Sequence, residues 1–166
     1  SKGVSGKNTK IFCERPLVTY TLAAYSLFCE KYSGQAENIC LAVNTDSELL
    51  LQQVNESGVE YLCIPRTDEL AGDLVGKEDV ISDTLKKSEE KKGVVFDVLI
   101  DLDLTAPLRT VADIKGTLDT LLGDENADIA YSVTGARRLP YFNMVKKSET
   151  GYYQSIIKTD FIARQQ

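Results

Sequence analysis

Two glycines and two lysines crowd the opening residues, Ser1-Lys2-Gly3-Val4-Ser5-Gly6-Lys7-Asn8. Glycine lets backbone N–H groups come close to an anion, and Lys2 and Lys7 add positive charge beside it. The spacing is not that of a Walker A loop, which has four residues between its glycines and a Ser or Thr after its lysine. Nor is it G-x-G-x-x-G. The segment reads either as an anion-binding loop or as a basic surface turn. Further along, Asp101-Leu102-Asp103 closes a long apolar run. Residues two apart on a strand share a face, so the carboxylates can converge on a hydroxyl or a metal ion. Equally, one aspartate can cap the following turn while the other pairs with Arg109. Arg66, Asp73 and Lys77 follow one apolar segment, and Arg137 and Arg138 follow another. Loops at the carboxyl ends of strands are where α/β proteins gather ligand contacts.

The rest of the composition narrows the chemistry. The 166 residues contain no histidine, which removes a Ser-His-Asp triad, a histidine base and a histidine-held metal. A metal here would take oxygen ligands, as magnesium does. Lys and Arg total 19 against 25 Asp and Glu, a net charge of −6. That balance argues against a nucleic-acid surface but leaves room for a nucleotide. Cys13, Cys29, Cys40 and Cys63 form no C-x-x-C pair, and three lie in apolar stretches, as buried reduced thiols do. No run approaches the length of a membrane span and no signal peptide is visible, so a cytoplasmic location away from membranes is expected.

These residues need elements to position them. Pro16 and the recurrence of Leu17, Thr21, Ala24 and Phe28 predict a helix over 16–32. A strand is expected at 38–44. Thr45 and Glu48 fit a capping box opening a helix that ends near Gly58. Val59–Ile64 is a second strand, and a third helix is expected from Lys77 to about Lys91. Val94–Leu104 barely alternates, as a central parallel strand buried on both faces would. Thr110 and Asp113 fit another capping box, opening a helix to Leu122. A fourth strand is expected at 127–134. Phe142–Val145 and Tyr152–Ile157, flanking Lys147–Gly151, read as a hairpin. The alternation predicts an α/β layered fold with a mainly parallel sheet.

In this order along the chain, the motifs resemble the acylneuraminate cytidylyltransferase (CMP-sialate synthetase) family. SKGVSGKN followed by ERPLVTYTL is similar to S-K-G-x-P-x-K-N…K-P-L-I-x-Y-T. Arg66, Asp68-Glu69-Leu70-Ala71 and Asp73 are similar to R-P-A-E-L-A-x-D, and Leu104–Thr110 to P-T-S-P-L-R-T. Ser132-Val133-Thr134 and Arg164-Gln165-Gln166 resemble later family segments. The resemblance implies a three-layer α/β/α, glycosyltransferase-A-like nucleotidyltransferase fold. It implies that a sugar hydroxyl attacks the α-phosphate of CTP and pyrophosphate leaves, with magnesium present. On this reading Lys2 and Lys7 are catalytic, and Lys2, Gly3, Lys7, Asn8, Arg66 and Lys77 bind the nucleotide. Asp103, Arg138 and Arg164 bind the sugar acid. Metal ligands are expected beyond Gln166, with Asp101 and Asp103 as candidates. The expectation is one domain over 1–166, with its first strand upstream of Ser1 and its C-terminal segment beyond, homodimeric when complete.

The chain departs from the family at Ser5, at Leu104 and in Asp73-Leu74-Val75-Gly76-Lys77, where D-T-A-S-S is common. Asp103 stands where sialate enzymes commonly carry glutamine. An ionised carboxylate accepts hydrogen bonds and donates none, so a sugar rich in N–H donors, a diacetamido nonulosonic acid, is expected over N-acetylneuraminate. An enzyme activating an eight-carbon keto-deoxy sugar acid and a non-catalytic nucleotide-binding module are the rival readings.

Overall fold

A short hairpin near the start of the chain is one element that the sequence pattern does not announce. In the computed structural model, which describes residues 6–72, 75–135, 138 and 144–157, β1 (Ile11–Phe12) pairs antiparallel with β2 (Arg15–Pro16). Cys13 and Glu14 make the turn at φ 45° and 68°, the left-handed values that a tight hairpin turn demands. The hairpin is held on the following helix: Tyr20 donates its hydroxyl to the Phe12 carbonyl at 2.7 Å, and the two rings meet edge to face.

That helix, α1 (Leu17–Tyr32), buries Val18, Thr21, Leu22, Ala24 and Phe28, so its inward face follows the helical spacing of the sequence. β3 (Ala42–Thr45) and β4 (Leu62–Pro65) pair in parallel, Ala42 opposite Leu62 through Thr45 opposite Pro65. The crossover between them carries α2 (Glu48–Glu56). Its cap is Ser47, whose hydroxyl accepts the Leu50 N–H at 3.3 Å. Thr45, the expected cap, instead accepts the Ser47 N–H, because it still belongs to the β3 ladder. The cap is thus two residues later than the capping-box pattern indicated.

Two apolar clusters form the core. Val18, Leu22, Leu50 and Val54 pack with Leu41, Val43, Val59, Tyr61 and Leu104. Ala24, Phe28 and Ile114 pack with Tyr32, Ile39, Leu102, Val111 and Leu118. The other side of β3 and β4 meets α3 (Lys77–Lys92). Acidic Glu78 and Asp79 open α3 and Lys91 and Lys92 close it, the arrangement the helix dipole favours. Gly93 ends it at φ 67°, donating to the Glu89 carbonyl at 2.7 Å. α4 (Val111–Leu122) starts at the reciprocal Thr110–Asp113 capping box that the sequence indicated. The fold class is α/β.

The expected strand at Val94–Leu104 enters no ladder, and neither does 127–134. A central strand is buried because neighbours pair with both its edges, and no described segment pairs with 94–104. Val95 is accordingly 84% exposed. The run is anchored at its two ends instead: the Phe96 N–H donates to Glu89 of α3, and Leu102 and Leu104 enter the two core clusters.

The chain divides into two compact units, Ser1–Ala130 and Tyr131–Gln166. In the second, β5 (Val145–Lys147) pairs antiparallel with β6 (Tyr153–Ser155). Gly151 at φ 87° closes the turn, where a side chain would be strained. This is the expected hairpin, with β5 running on to Lys147 of the expected turn and β6 shorter than expected at both ends. Phe142 and Asn143 lie outside the described residues.

Candidate functional site

Strand alternation survives at the end of the 94–104 run even without a ladder. Leu102 and Leu104 turn into the core, so Asp101 and Asp103 turn outward together. Their shared partner is Lys77, the first residue of α3. Its ammonium lies 2.5 Å from Asp101 Oδ2 and 3.6 Å from Asp103 Oδ2. The hydrogen bond with Asp101 is the main cause of a raised Lys77 pKa. Asp103 Oδ1 accepts both the N–H of Thr105 at 2.8 Å and its hydroxyl at 2.7 Å. Those bonds, Thr105 hydroxyl first, hold the Asp103 carboxyl below the usual carboxylate range. Both alternatives read from the sequence are present in part: the aspartates converge on one cation, and Asp103 also caps the turn that follows. Arg109 donates to the Asp103 carbonyl oxygen rather than to a carboxylate. Its Nη1 is buried with no partner among the described residues.

A second group stands at the carboxyl ends of β3 and β4. Arg66, one residue past β4, donates Nε to Asn44 Oδ1 at 2.9 Å and Nη2 to the Asn44 carbonyl at 2.8 Å. Asn44 in turn donates its amide to Thr84 of α3 at 2.8 Å. Arg66 and Lys77 therefore both attach to α3, one through Asn44 and Thr84 and one as its first residue.

The phosphate-loop candidates are held separately. Lys7, Asn8 and Thr9 form a single 3₁₀ turn entered through Gly6 at φ 58°. The turn rests on α1 and α2, and Gln53 of α2 donates to the Thr9 carbonyl at 3.1 Å. Asn8 is exposed and Lys7 partly so. No hydrogen bond or ion pair among the described residues joins Lys7 to Lys77 or Arg66. Arg138 is exposed in the second unit. Lys2, Gly3, Asp73, Arg137 and Arg164 lie outside the described residues.

The Asp101–Asp103 pair does not fit magnesium as these side chains stand. Lys77 fills the position between the two Oδ2 atoms, and Thr105 engages the remaining oxygen of Asp103. Among the described residues no group of three or more Cys, Asp or Glu side chains is arranged to hold a metal ion. The four cysteines are free thiols, and burial raises the pKa of Cys40. Among the described residues, no helix is long and apolar enough to cross a membrane.

Sequence reasoning singled out Arg66, Lys77, Asp101 and Asp103 but missed Asn44 and Thr105. Each carried a faint signal. Asn44 is a polar residue in an otherwise apolar strand run, and Thr105 stands two residues after an aspartate, the spacing of an Asx turn.

In open α/β folds ligand contacts gather past strand ends and at helix starts, and Arg66 and Lys77 stand at such positions. No family model matches the chain. It is 37% identical over 146 residues to "Post-translational flagellin modification protein B" of Campylobacter coli. It is 35% identical over 146 residues to "CMP-N,N'-diacetyllegionaminic acid synthase" of Campylobacter jejuni. Each alignment covers 88% of this chain and 58% of the relative, so the chain spans a little over half the length of these curated relatives. The resemblance seen in the motifs agrees with this: over 88% of its length the chain is similar to a protein named as a CMP-nonulosonate synthase.

Proposed function

We propose that the protein containing this chain is a cytidylyltransferase. It joins CMP from CTP to a nonulosonic acid and releases pyrophosphate, on a three-layer α/β/α nucleotidyltransferase fold. The observation that carries the reading is Lys77 at the start of α3 holding Asp101 and Asp103, with Arg66 fixed just past β4, in a chain similar to a CMP-nonulosonate synthase. Arg66 and Lys77 supply positive charge for the triphosphate, together with Lys2 and Lys7 of the glycine loop. Fixed cations of this kind stabilise the charge that develops as pyrophosphate departs. Asp103 is assigned to the sugar acid. Thr105 takes its Oδ1, so a substrate N–H or hydroxyl donor would meet Oδ2 and share it with the Lys77 ammonium 3.6 Å away. The Asp101–Asp103 pair, closed on Lys77 and Thr105, does not accommodate magnesium as it stands.

The relative named as an N,N'-diacetyllegionaminic acid synthase supports a diacetamido nonulosonic acid as substrate, in line with the carboxylate at position 103. The test is pyrophosphate release from CTP by the intact protein, with a diacetamido nonulosonic acid, N-acetylneuraminate and an eight-carbon keto-deoxy acid compared side by side. Higher kcat/KM for the diacetamido sugar, reduced in Asp103→Gln, is the expected result. Turnover only with the eight-carbon acid, or CTP binding without turnover, would favour one of the rival readings.

A further inference from the structure

The contacts of Arg66 fix more than its position. A guanidinium only donates, so the side-chain oxygen of Asn44 must face it, and the Asn44 amide must face the Thr84 hydroxyl. Thr84 then has one role left for its own proton, which it donates to the Val80 carbonyl at 2.6 Å. Every bond in this chain has its direction set by the arginine at one end and the α3 backbone at the other. Arg66, Asn44 and Thr84 are all partly buried, where such a chain is less open to exchange with water.

The geometry also divides the guanidinium. Nε and Nη2 form its side-on edge, and Asn44 occupies that edge with two acceptors, at 2.9 and 2.8 Å. Among the described residues no acceptor meets the end-on edge, Nη1 with the second Nη2 proton, which suits a pair of oxygens such as a phosphate presents. An arginine gripped side-on cannot rotate about its own axis without breaking both bonds, so the direction of its end-on edge is set before any ligand arrives.

We propose that Asn44 is a positioning residue that aims the end-on edge of Arg66 at the phosphates of the nucleotide, with Thr84 tying that aim to α3. The inference rests on the reading of Arg66 as part of a CTP site. It adds a residue that touches no substrate and acts through another side chain.

The test is CTP affinity by titration calorimetry on the intact protein, in wild type, Asn44→Ala, Arg66→Ala and the double variant, with Asn44→Asp as the conservative replacement. Asn44→Ala is expected to weaken CTP binding about tenfold, the scale of one lost hydrogen bond to a charged group. The loss should largely vanish in the Arg66→Ala background, since a residue acting through Arg66 has nothing left to act on. Asn44→Asp keeps an acceptor for Arg66 but loses the amide that Thr84 accepts, so its loss should match that of Thr84→Val. If Asn44→Ala does not fold, Thr84→Val removes the same tether from the other end, with the same expectation of non-additivity. Should Arg66→Ala weaken binding while Asn44→Ala and Thr84→Val do not, or should their effects add to it, the positioning role is overturned and the site reading stands. If Arg66→Ala leaves CTP binding unchanged, both fall together.

Discussion

Asp103 and Lys77 lose their contributions to stability at opposite ends of the pH scale, and the direction of each shift gives the sign. Asp103 has its pKa lowered from 3.8, so its contribution is present above that value and is lost as pH falls through the lower folded pKa. Lys77 has its pKa raised from 10.5, so its contribution is present below that value and fades as pH rises past the raised one. Both side chains are about half exposed, which keeps each contribution small. Urea denaturation of wild type and Asp103→Asn should therefore differ most near neutrality and converge once pH has fallen through the lowered folded pKa of Asp103. A gap that persists undiminished at low pH would mean the carboxylate is not what stabilises this turn. Lys7 makes a separate prediction. It has no ion-pair partner among the described residues and sits on a turn propped by α1 and α2. If it faces the triphosphate, Lys7→Ala should cost roughly 2–4 kcal/mol of transition-state stabilisation in CTP turnover, as a lost charge-stabilising donor does. Unchanged turnover with unchanged stability would make the turn structural.

Among the elements, α4 has the best-defined start. Thr110 accepts the Asp113 N–H at 3.2 Å, while Asp113 accepts the Thr110 N–H at 2.7 Å and its hydroxyl at 2.8 Å. Thr110→Ala breaks the cap and should lower stability by about 1 kcal/mol, read as a shift in urea midpoint at constant slope. Asp113→Ala should cost a similar amount, and the pair should be non-additive, because the box is one reciprocal unit. Purely additive losses would show that the two bonds act separately. α2 illustrates the limit of such patterns. Its Thr45–Glu48 spacing matches a capping box, yet β3 claims Thr45 and the cap passes to Ser47.

At the scale of the first unit, stability is concentrated where β3, β4, α1 and α2 meet. Ile64 and Val54 are fully buried at 0% exposure, so Ile64→Ala should cost roughly 2–5 kcal/mol through lost burial and the cavity left behind. The 94–104 run makes the contrary prediction. Val95 is 84% exposed, and Val95→Lys should change stability by less than about 0.5 kcal/mol in this chain. A loss of several kcal/mol there would mean that Val95 is covered by a neighbouring strand, as its apolar surroundings in the sequence led us to expect.

What the sequence determined by itself is local. Helices α1, α3 and α4 follow from periodicity and from signals within a few residues, Pro16, Gly93 and the Thr110–Asp113 box, whose hydrogen bonds close over one turn. The hairpin of β5 and β6 follows from its short turn. Asp101 and Asp103 face one way because strand geometry has a period of two, wherever the strand lies. The remaining features needed tertiary structure. Whether an apolar run becomes a paired strand depends on partners distant in sequence, and Val94–Leu104 carries the composition of a central strand without a ladder. That Lys77 closes on both aspartates, and that Asn44 grips Arg66 and reaches Thr84, joins residues tens of positions apart. The types of these residues were legible in the chain. Their partners were not, because a hydrogen bond forms between neighbours in space, and only the packing of α3 against β3 and β4 makes these residues neighbours.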